Sequence, residues 1–122
     1  MDKNTSVIIA DNSEEFCSSL TAALHQNSGF HVLDTASDGE RAIALVSERK
    51  PDILVLDLML AKKDGLSVLK ALSTMERKPT VLATSGFITD YVASAAANLG
   101  VRYLMLKPCD MSALVERLEE IR

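Results

Sequence analysis

Cysteine and histidine are scarce in this chain. Cys17 and Cys109 lie far apart and match no metal-ligand spacing, so they read as two reduced thiols of a cytosolic protein. His25 and His31 are not paired for a metal and read as ordinary helix-end or strand residues. No apolar run approaches the length of a membrane span. The opening Met1-Asp2-Lys3-Asn4-Thr5 lacks the long apolar core of a secretory signal, so the expected location is cytoplasmic, with no membrane partner. Positive charge is in the minority: 13 Lys+Arg stand against 17 Asp+Glu, a formal net charge of −4. Nucleic-acid binding leans on phosphate neutralisation, so direct binding by this domain is not expected. There is no Gly-rich loop ending in Gly-Lys-Ser/Thr, which excludes a P-loop enzyme. Low-complexity segments, linkers and solenoid repeats are also missing.

What is present suffices for one domain, residues 1–122, with 48% hydrophobic and 25% charged residues. Short apolar runs near 5–10, 30–36, 52–57, 80–84 and 102–106 are strand candidates. Between them lie apolar stripes at helical spacing. Phe16, Leu20, Ala23 and Leu24 form the first, Ala42, Ile43 and Val46 the second, and Leu66, Leu69 and Leu72 the third. Tyr91, Val92, Ala95, Ala96 and Leu99 form the fourth; Met111, Leu114, Val115, Leu118 and Ile121 form the last. Asn12 or Ser13 is expected to cap the first helix, with Glu14 and Glu15 in its first turn, and Asp64 to cap the third. Gly29 and Gly100 are expected to end the first and fourth helices, and Pro51 and Pro79 bar helix continuation before strands.

Strand and helix thus alternate five times. The fold class is α/β, a doubly wound parallel sheet covered on both faces. The run Phe30-His31-Val32-Leu33-Asp34-Thr35 alternates and carries charge, which fits an edge strand.

Four polar residues each follow an apolar run: Asp11, Asp57, Thr84 and Lys107. In a parallel sheet their side chains meet at the carboxyl edge, where open α/β sheets place their sites. Asp57 is the sharpest of them, a carboxylate expected to face solvent and able to act as a nucleophile. Asp11 beside it adds a like charge, worth roughly 4 kcal/mol of repulsion at an effective dielectric of about 20. A bound Mg²⁺ removes that penalty and favours such oxygen ligands. Lys107 supplies a positive charge for a phosphoryl oxygen, and Thr84 a hydroxyl for another. Phosphoryl transfer needs mainly positioning and charge neutralisation, and these are its parts.

With Asp11, Asp57, Asp64-Gly65, Thr84 and Lys107-Pro108 at this spacing, the chain resembles the receiver domain of bacterial two-component response regulators over essentially its full length. The stretches Ile9-Ala10-Asp11-Asn12, Ile53-Leu54-Val55-Leu56-Asp57 and Leu106-Lys107-Pro108 look most like the receiver of the sporulation transcription factor of endospore-forming Firmicutes. The resemblance implies a flavodoxin-like topology with strand order 2-1-3-4-5. It implies that a histidine kinase or histidine phosphotransfer protein presents phosphohistidine, and that Asp57 attacks it with Mg²⁺ assistance. Asp11, Asn12, Asp57 and the Met59 backbone carbonyl are the implied metal ligands. A cis Lys107-Pro108 peptide and a repacked surface of the fourth helix, fifth strand and fifth helix are implied too, with a possible homodimer. The chain is then not an enzyme beyond its own phosphorylation. The resemblance favours the amino-terminal part of a longer transcription factor, with DNA bound by another domain.

Several positions depart from the family pattern. Asn12 stands where a second acid is usual, and reads either as a weaker Mg²⁺ ligand or as a helix cap with Glu15 in a capping-box spacing. Glu14 and Glu15 read as compensating the helix dipole rather than as ligands. Ala61 replaces a usual proline, which predicts a looser loop, and the adjacent Lys62 and Lys63 read as solvated. Leu104 occupies the position of a common aromatic switch residue, and Tyr103 alternates to the other face. Cys109 replaces a common Phe and reads as an inert small side chain despite the ammonium beside it. Met59, Met105 and Met111 read as core filler. The Ala93–Ala97 stretch reads as a small-residue flank or as plain helix propensity.

These departures motivate a rival, a pseudo-receiver interaction module that takes no phosphate. An aspartate-nucleophile phosphohydrolase is disfavoured because Met59 stands where its second Asp would be. A flavodoxin-type cofactor binder is disfavoured by the acidic, glycine-free first loop.

Overall fold

The computed structural model describes residues 4–26, 29–60 and 62–122. Along the chain run β1 (Thr5–Ala10), α1 (Glu14–His25), β2 (Phe30–Ala36), α2 (Gly39–Arg49), β3 (Ile53–Asp57), α3 (Gly65–Leu72), β4 (Thr80–Ser85), α4 (Asp90–Asn98), β5 (Tyr103–Leu106) and α5 (Met111–Ile121). The strands form one parallel sheet in the order β2-β1-β3-β4-β5. All five strands and all five helices expected from periodicity are present, and β2 is an edge strand.

Alternation along the strands divides the core in two. Ile8, Ala10, Leu54, Leu56 and Ala83 face α2, α3 and α4, packing on Ala42, Leu45, Val68, Leu69 and Ala96. Val7, Ile9, Ile53, Val55 and Leu82 face α1 and α5, packing on Leu20, Leu24, Leu114 and Leu118. Burial of each leucine, isoleucine or valine among them stabilises by roughly 1.5–3 kcal/mol. The central strands are apolar on both faces because helices cover both, and this is why they read as unbroken apolar runs. Tyr103 and Leu104 lie on opposite faces, as alternation requires: Leu104 packs with the α2–α4 layer and Tyr103 with the α1/α5 layer.

The helix starts follow local hydrogen bonding. Ser13 caps α1, its Oγ accepting from Phe16 N–H at 3.1 Å. Asn12 is exposed and does not cap, so the Asn12–Glu15 capping box is not formed. Asp38, Asp64 and Thr89 cap α2, α3 and α4 in the same way. The expected glycine end of α4 is borne out. Gly100 has φ +94, its N–H donates to the Ala97 carbonyl and Val101 N–H to that of Ala96, a Schellman closure.

Gly29 does not end α1. The helix closes with Gln26 as its C-cap, three residues earlier, the Gln26 N–H donating to the Ala22 carbonyl at 3.3 Å. The Gly29 carbonyl instead accepts Thr5 N–H at 2.8 Å at the foot of the sheet. Met59 is no core filler: it lies in the turn after β3 and is 55% exposed, whereas Met105 and Met111 pack against the α1/α5 layer. The looser loop expected from Ala61 falls outside the described residues. His25 ends α1 and His31 lies in β2, as read. Among the described residues no helix is long and apolar enough to cross a membrane.

Candidate functional site

The site is built at the carboxyl edge of the three central strands and β5. Asp11 directly follows β1, and its N–H is fixed to the Ala36 carbonyl at 2.9 Å. Asp57 ends β3 and is the register partner of Thr84 in β4. Lys107 directly follows β5, its N–H donating to the Ser85 carbonyl at 2.8 Å, and the Lys107–Pro108 peptide is cis. The parallel register therefore brings all four residues to one edge.

Lys107 joins the carboxylates. Its Nζ donates to Asp11 Oδ2 at 2.5 Å and lies 3.5 Å from Asp57 Oδ2. The other oxygen of each carboxylate is held by a backbone N–H two residues on, Ser13 for Asp11 and Met59 for Asp57, both at 2.9 Å. Each carboxylate is thus aimed by its own turn, leaving Oδ2 toward the ammonium. Burial alone would lower the Lys107 pKa. The hydrogen bond to Asp11 and the negative charges of Asp57 and Asp11 outweigh burial and lift it above the ordinary lysine range.

Asp57 is more enclosed than a solvent-facing carboxylate, at 5% exposure. The β3–α3 turn closes back on the end of β3, with Gly65 N–H bonded to the Leu58 carbonyl at 3.1 Å. A Cβ at Gly65 would stand 2.4 Å from Leu58 Cα, so this closeness requires glycine. Thr84 is fully buried, and its Oγ1 has no hydrogen-bond partner among the described residues. A buried hydroxyl without a partner costs about 1–3 kcal/mol. It marks a place where an incoming oxygen would be welcome.

The remaining sequence candidates fall as follows. Glu14 and Glu15 are exposed in the first turn of α1. Lys62 and Lys63 are exposed, and Lys62 pairs with Asp38 at 3.6 Å. Burial pushes the Cys109 thiol up, against the lowering effect of Lys107, so it is not an activated nucleophile. The Cys17 thiol is likewise raised by burial, then by Asp11, and its Sγ contacts the Asp11 carbonyl oxygen at 3.5 Å.

One residue at the site escaped sequence reasoning. The Phe16 ring centroid lies 4.3 Å from Lys107 Nζ. In sequence, Phe16 is only one member of the apolar stripe of α1, and nothing local names a partner so distant in the chain.

The donor chemistry bears on a metal. Asp11 and Asp57 offer hard carboxylate oxygens, and Asn12 and the Met59 carbonyl offer neutral ones, an all-oxygen set suited to Mg²⁺. Among the described residues no group of three His, Cys, Asp or Glu could hold a metal, and position 12 is an amide. The set fits one hard cation by donor type, with less negative charge than three acids would give.

Two carboxylates, a lysine and a buried hydroxyl thus stand at the carboxyl edge of a doubly wound α/β sheet, where open sheets of this kind place their sites. The profile of the response regulator receiver domain matches residues 7–119, and the chain belongs to that family. Among solved structures it is similar to the signal receiver domain of the response regulator NarL from Mycobacterium tuberculosis, at 24% identity and TM-score 0.90, covering 98% of this chain and 96% of that one. It is similar to a DNA-binding response regulator of the LuxR family from Staphylococcus aureus, at 23% identity and TM-score 0.88, covering 96% and 98%. The response regulator domain of Thermotoga maritima CheB follows at 22% identity and TM-score 0.86, covering 98% and 95%.

Proposed function

We propose that this receiver domain accepts a phosphoryl group on Asp57 from a phosphohistidine donor and uses it as a switch. The observation that carries this reading is the position of Lys107 Nζ, within 3.5 Å of both Asp11 and Asp57, on the sheet edge that Thr84 shares. In the transfer an Asp57 oxygen attacks phosphorus, the P–N bond breaks, and the departing imidazole nitrogen takes a proton. Lys107 neutralises a phosphoryl oxygen, and the Thr84 hydroxyl donates to another, gaining the partner it lacks. Asp11, Asp57, Asn12 and the Met59 carbonyl would hold Mg²⁺. When bound, the ion supplies charge neutralisation at the phosphoryl oxygens.

The donor is a histidine kinase or a histidine phosphotransfer protein, and the site of action is the cytoplasm. The switch then biases two arrangements of the α4–β5–α5 surface. That surface carries the exposed apolar residues Tyr91 and Leu106, with Phe87 and Ile88 just before α4. The similar Staphylococcus aureus protein is a DNA-binding response regulator, which supports a transcriptional output through a separate domain. The narrower likeness to a sporulation factor rests only on the three short stretches that suggested it. The test is phosphorylation with a small phosphodonor and Mg²⁺, read by mass spectrometry for wild type and Asp57→Asn. Labelling of wild type alone is expected; equal labelling of both defeats the assignment.

A second reading, the pseudo-receiver, is favoured by one observation: Asn12 is neutral and exposed where a metal-binding acid would stand. Mg²⁺ titration separates the two readings. A site still empty at millimolar Mg²⁺ supports the pseudo-receiver.

A further inference from the structure

We propose that Phe16 is a positioning residue for Lys107, its ring forming one wall of the seat in which the ammonium stands beside Asp57. The role rests on the phosphoryl-acceptor reading above and adds a residue to it.

Lysine carries its charge on a flexible four-carbon stem, so its placement depends on what surrounds the nitrogen. Two carboxylates compete for this ammonium unequally: Asp11 holds it at 2.5 Å, while Asp57 stands at 3.5 Å. Transfer to Asp57 needs the charge near the arriving phosphoryl oxygens, not wholly drawn onto Asp11. The Phe16 ring supplies a third point of attraction, its centroid 4.3 Å from Nζ, well inside cation–π range. The ring is itself fixed. Phe16 is half-buried and packs against the α1/α5 core layer, and its N–H is tied to the Ser13 cap. That same Ser13 N–H holds Asp11 Oδ1, so one turn aims both the carboxylate and the ring at Lys107. Asn12, lying between them in sequence, brings no charge of its own, and among the described residues Lys107 is the cation that pairs with both Asp11 and Asp57. A neutral ring can hold the ammonium without adding a carboxylate that would repel the phosphoryl group.

The experiment uses the whole chain as wild type, Phe16→Leu and Phe16→Tyr, with folding checked by thermal melts. Leucine keeps the apolar packing of α1 but has no π face; tyrosine keeps both. The first readout is geometric and independent of phosphate: the side-chain methylene protons of Lys107, identified by comparison with Lys107→Met, in protein labelled at lysine carbons. They are expected upfield in wild type and Phe16→Tyr through the ring current, and at ordinary positions in Phe16→Leu. The second readout is the rate of Asp57 phosphorylation by a small phosphodonor at saturating Mg²⁺. Phe16→Leu is expected to be about fivefold slower, with Phe16→Tyr close to wild type. Lys107 signals that do not move in Phe16→Leu overturn the proposal, as does an unchanged rate in that variant while wild type labels normally. A wild type that takes no phosphoryl group while Lys107 still shows the ring shift defeats the acceptor reading itself, and with it the catalytic purpose of the seat.

Discussion

Asp57 and Thr84 are register partners on β3 and β4, yet the Thr84 hydroxyl is wholly buried and donates to nothing among the described residues. The nearest backbone need is met without it, because the Thr84 carbonyl accepts Leu58 N–H at 2.8 Å. The hydroxyl therefore lowers the stability of the unphosphorylated domain. Thr84→Val keeps the shape and removes the orphan. It is expected to raise unfolding free energy by about 1 kcal/mol in urea titration. The same variant should hold the aspartyl phosphate less well, seen as a shorter phosphoryl lifetime. A destabilised Thr84→Val would show that the hydroxyl is already satisfied.

Lys107 carries a pH signature. Its folded-state pKa is raised, so the stability gained from Asp11 and Asp57 is fully present below the ordinary lysine range and is lost as pH rises through the folded value. Lys107→Met leaves two carboxylates without their cation and is expected to cost about 2 kcal/mol, a figure discounted for the partial exposure of the pair. The gap between wild type and variant should stay constant from neutral to mildly alkaline pH. It should close only above the ordinary lysine range. A gap that already closes near neutrality would assign the stabilisation to another group.

The β3–α3 loop is held by a contact that only glycine permits. A Cβ on Gly39, at the start of α2, would stand 1.9 Å from the Lys63 carbonyl oxygen, whereas one on Gly86 meets nothing within 4 Å. Backbone cannot yield as a side-chain tip can. Gly39→Ala is expected to cost about 2–3 kcal/mol and to shift the loop beside Asp57, while Gly86→Ala stays within about 0.5 kcal/mol. Thermal melts of the two variants check this directly.

These contacts mark where sequence reading runs out. Apolar runs and helical stripes report which faces are buried, so the strands, the helices, the edge position of β2 and the opposite faces of Tyr103 and Leu104 were all legible. The placing of Asp11, Asp57, Thr84 and Lys107 at one sheet edge was legible too, because a parallel sheet maps strand ends onto one edge. What depends on contacts distant in sequence was not. Phe16 reads as core, yet touches Lys107. Gly29 reads as a helix stop, yet serves the amino edge of the sheet. Asp57 reads as open, yet is buried, one of its oxygens held by the Met59 N–H. Met59 reads as buried, yet its turn projects it outward.

Asn12 offers the sharpest test of how this site manages charge. The residue is exposed and neutral beside Asp11, and the Lys107 ammonium pairs with both carboxylates. Asn12→Asp adds a third acid to the same edge. Without divalent cation the added charge repels Asp11 and Asp57, screened by solvent, so the domain should lose about 0.5 kcal/mol in chelator. With Mg²⁺ the sign reverses, because a hard cation gains a charged oxygen ligand in place of an amide. Affinity is expected to rise about tenfold, equivalent to ~1.4 kcal/mol. Calorimetric titration reads the affinity, and urea melts with chelator and with Mg²⁺ read the stability. A variant whose Mg²⁺ affinity equals that of wild type would mean that position 12 does not reach the ion. The metal would then rest on Asp11, Asp57 and the Met59 carbonyl alone.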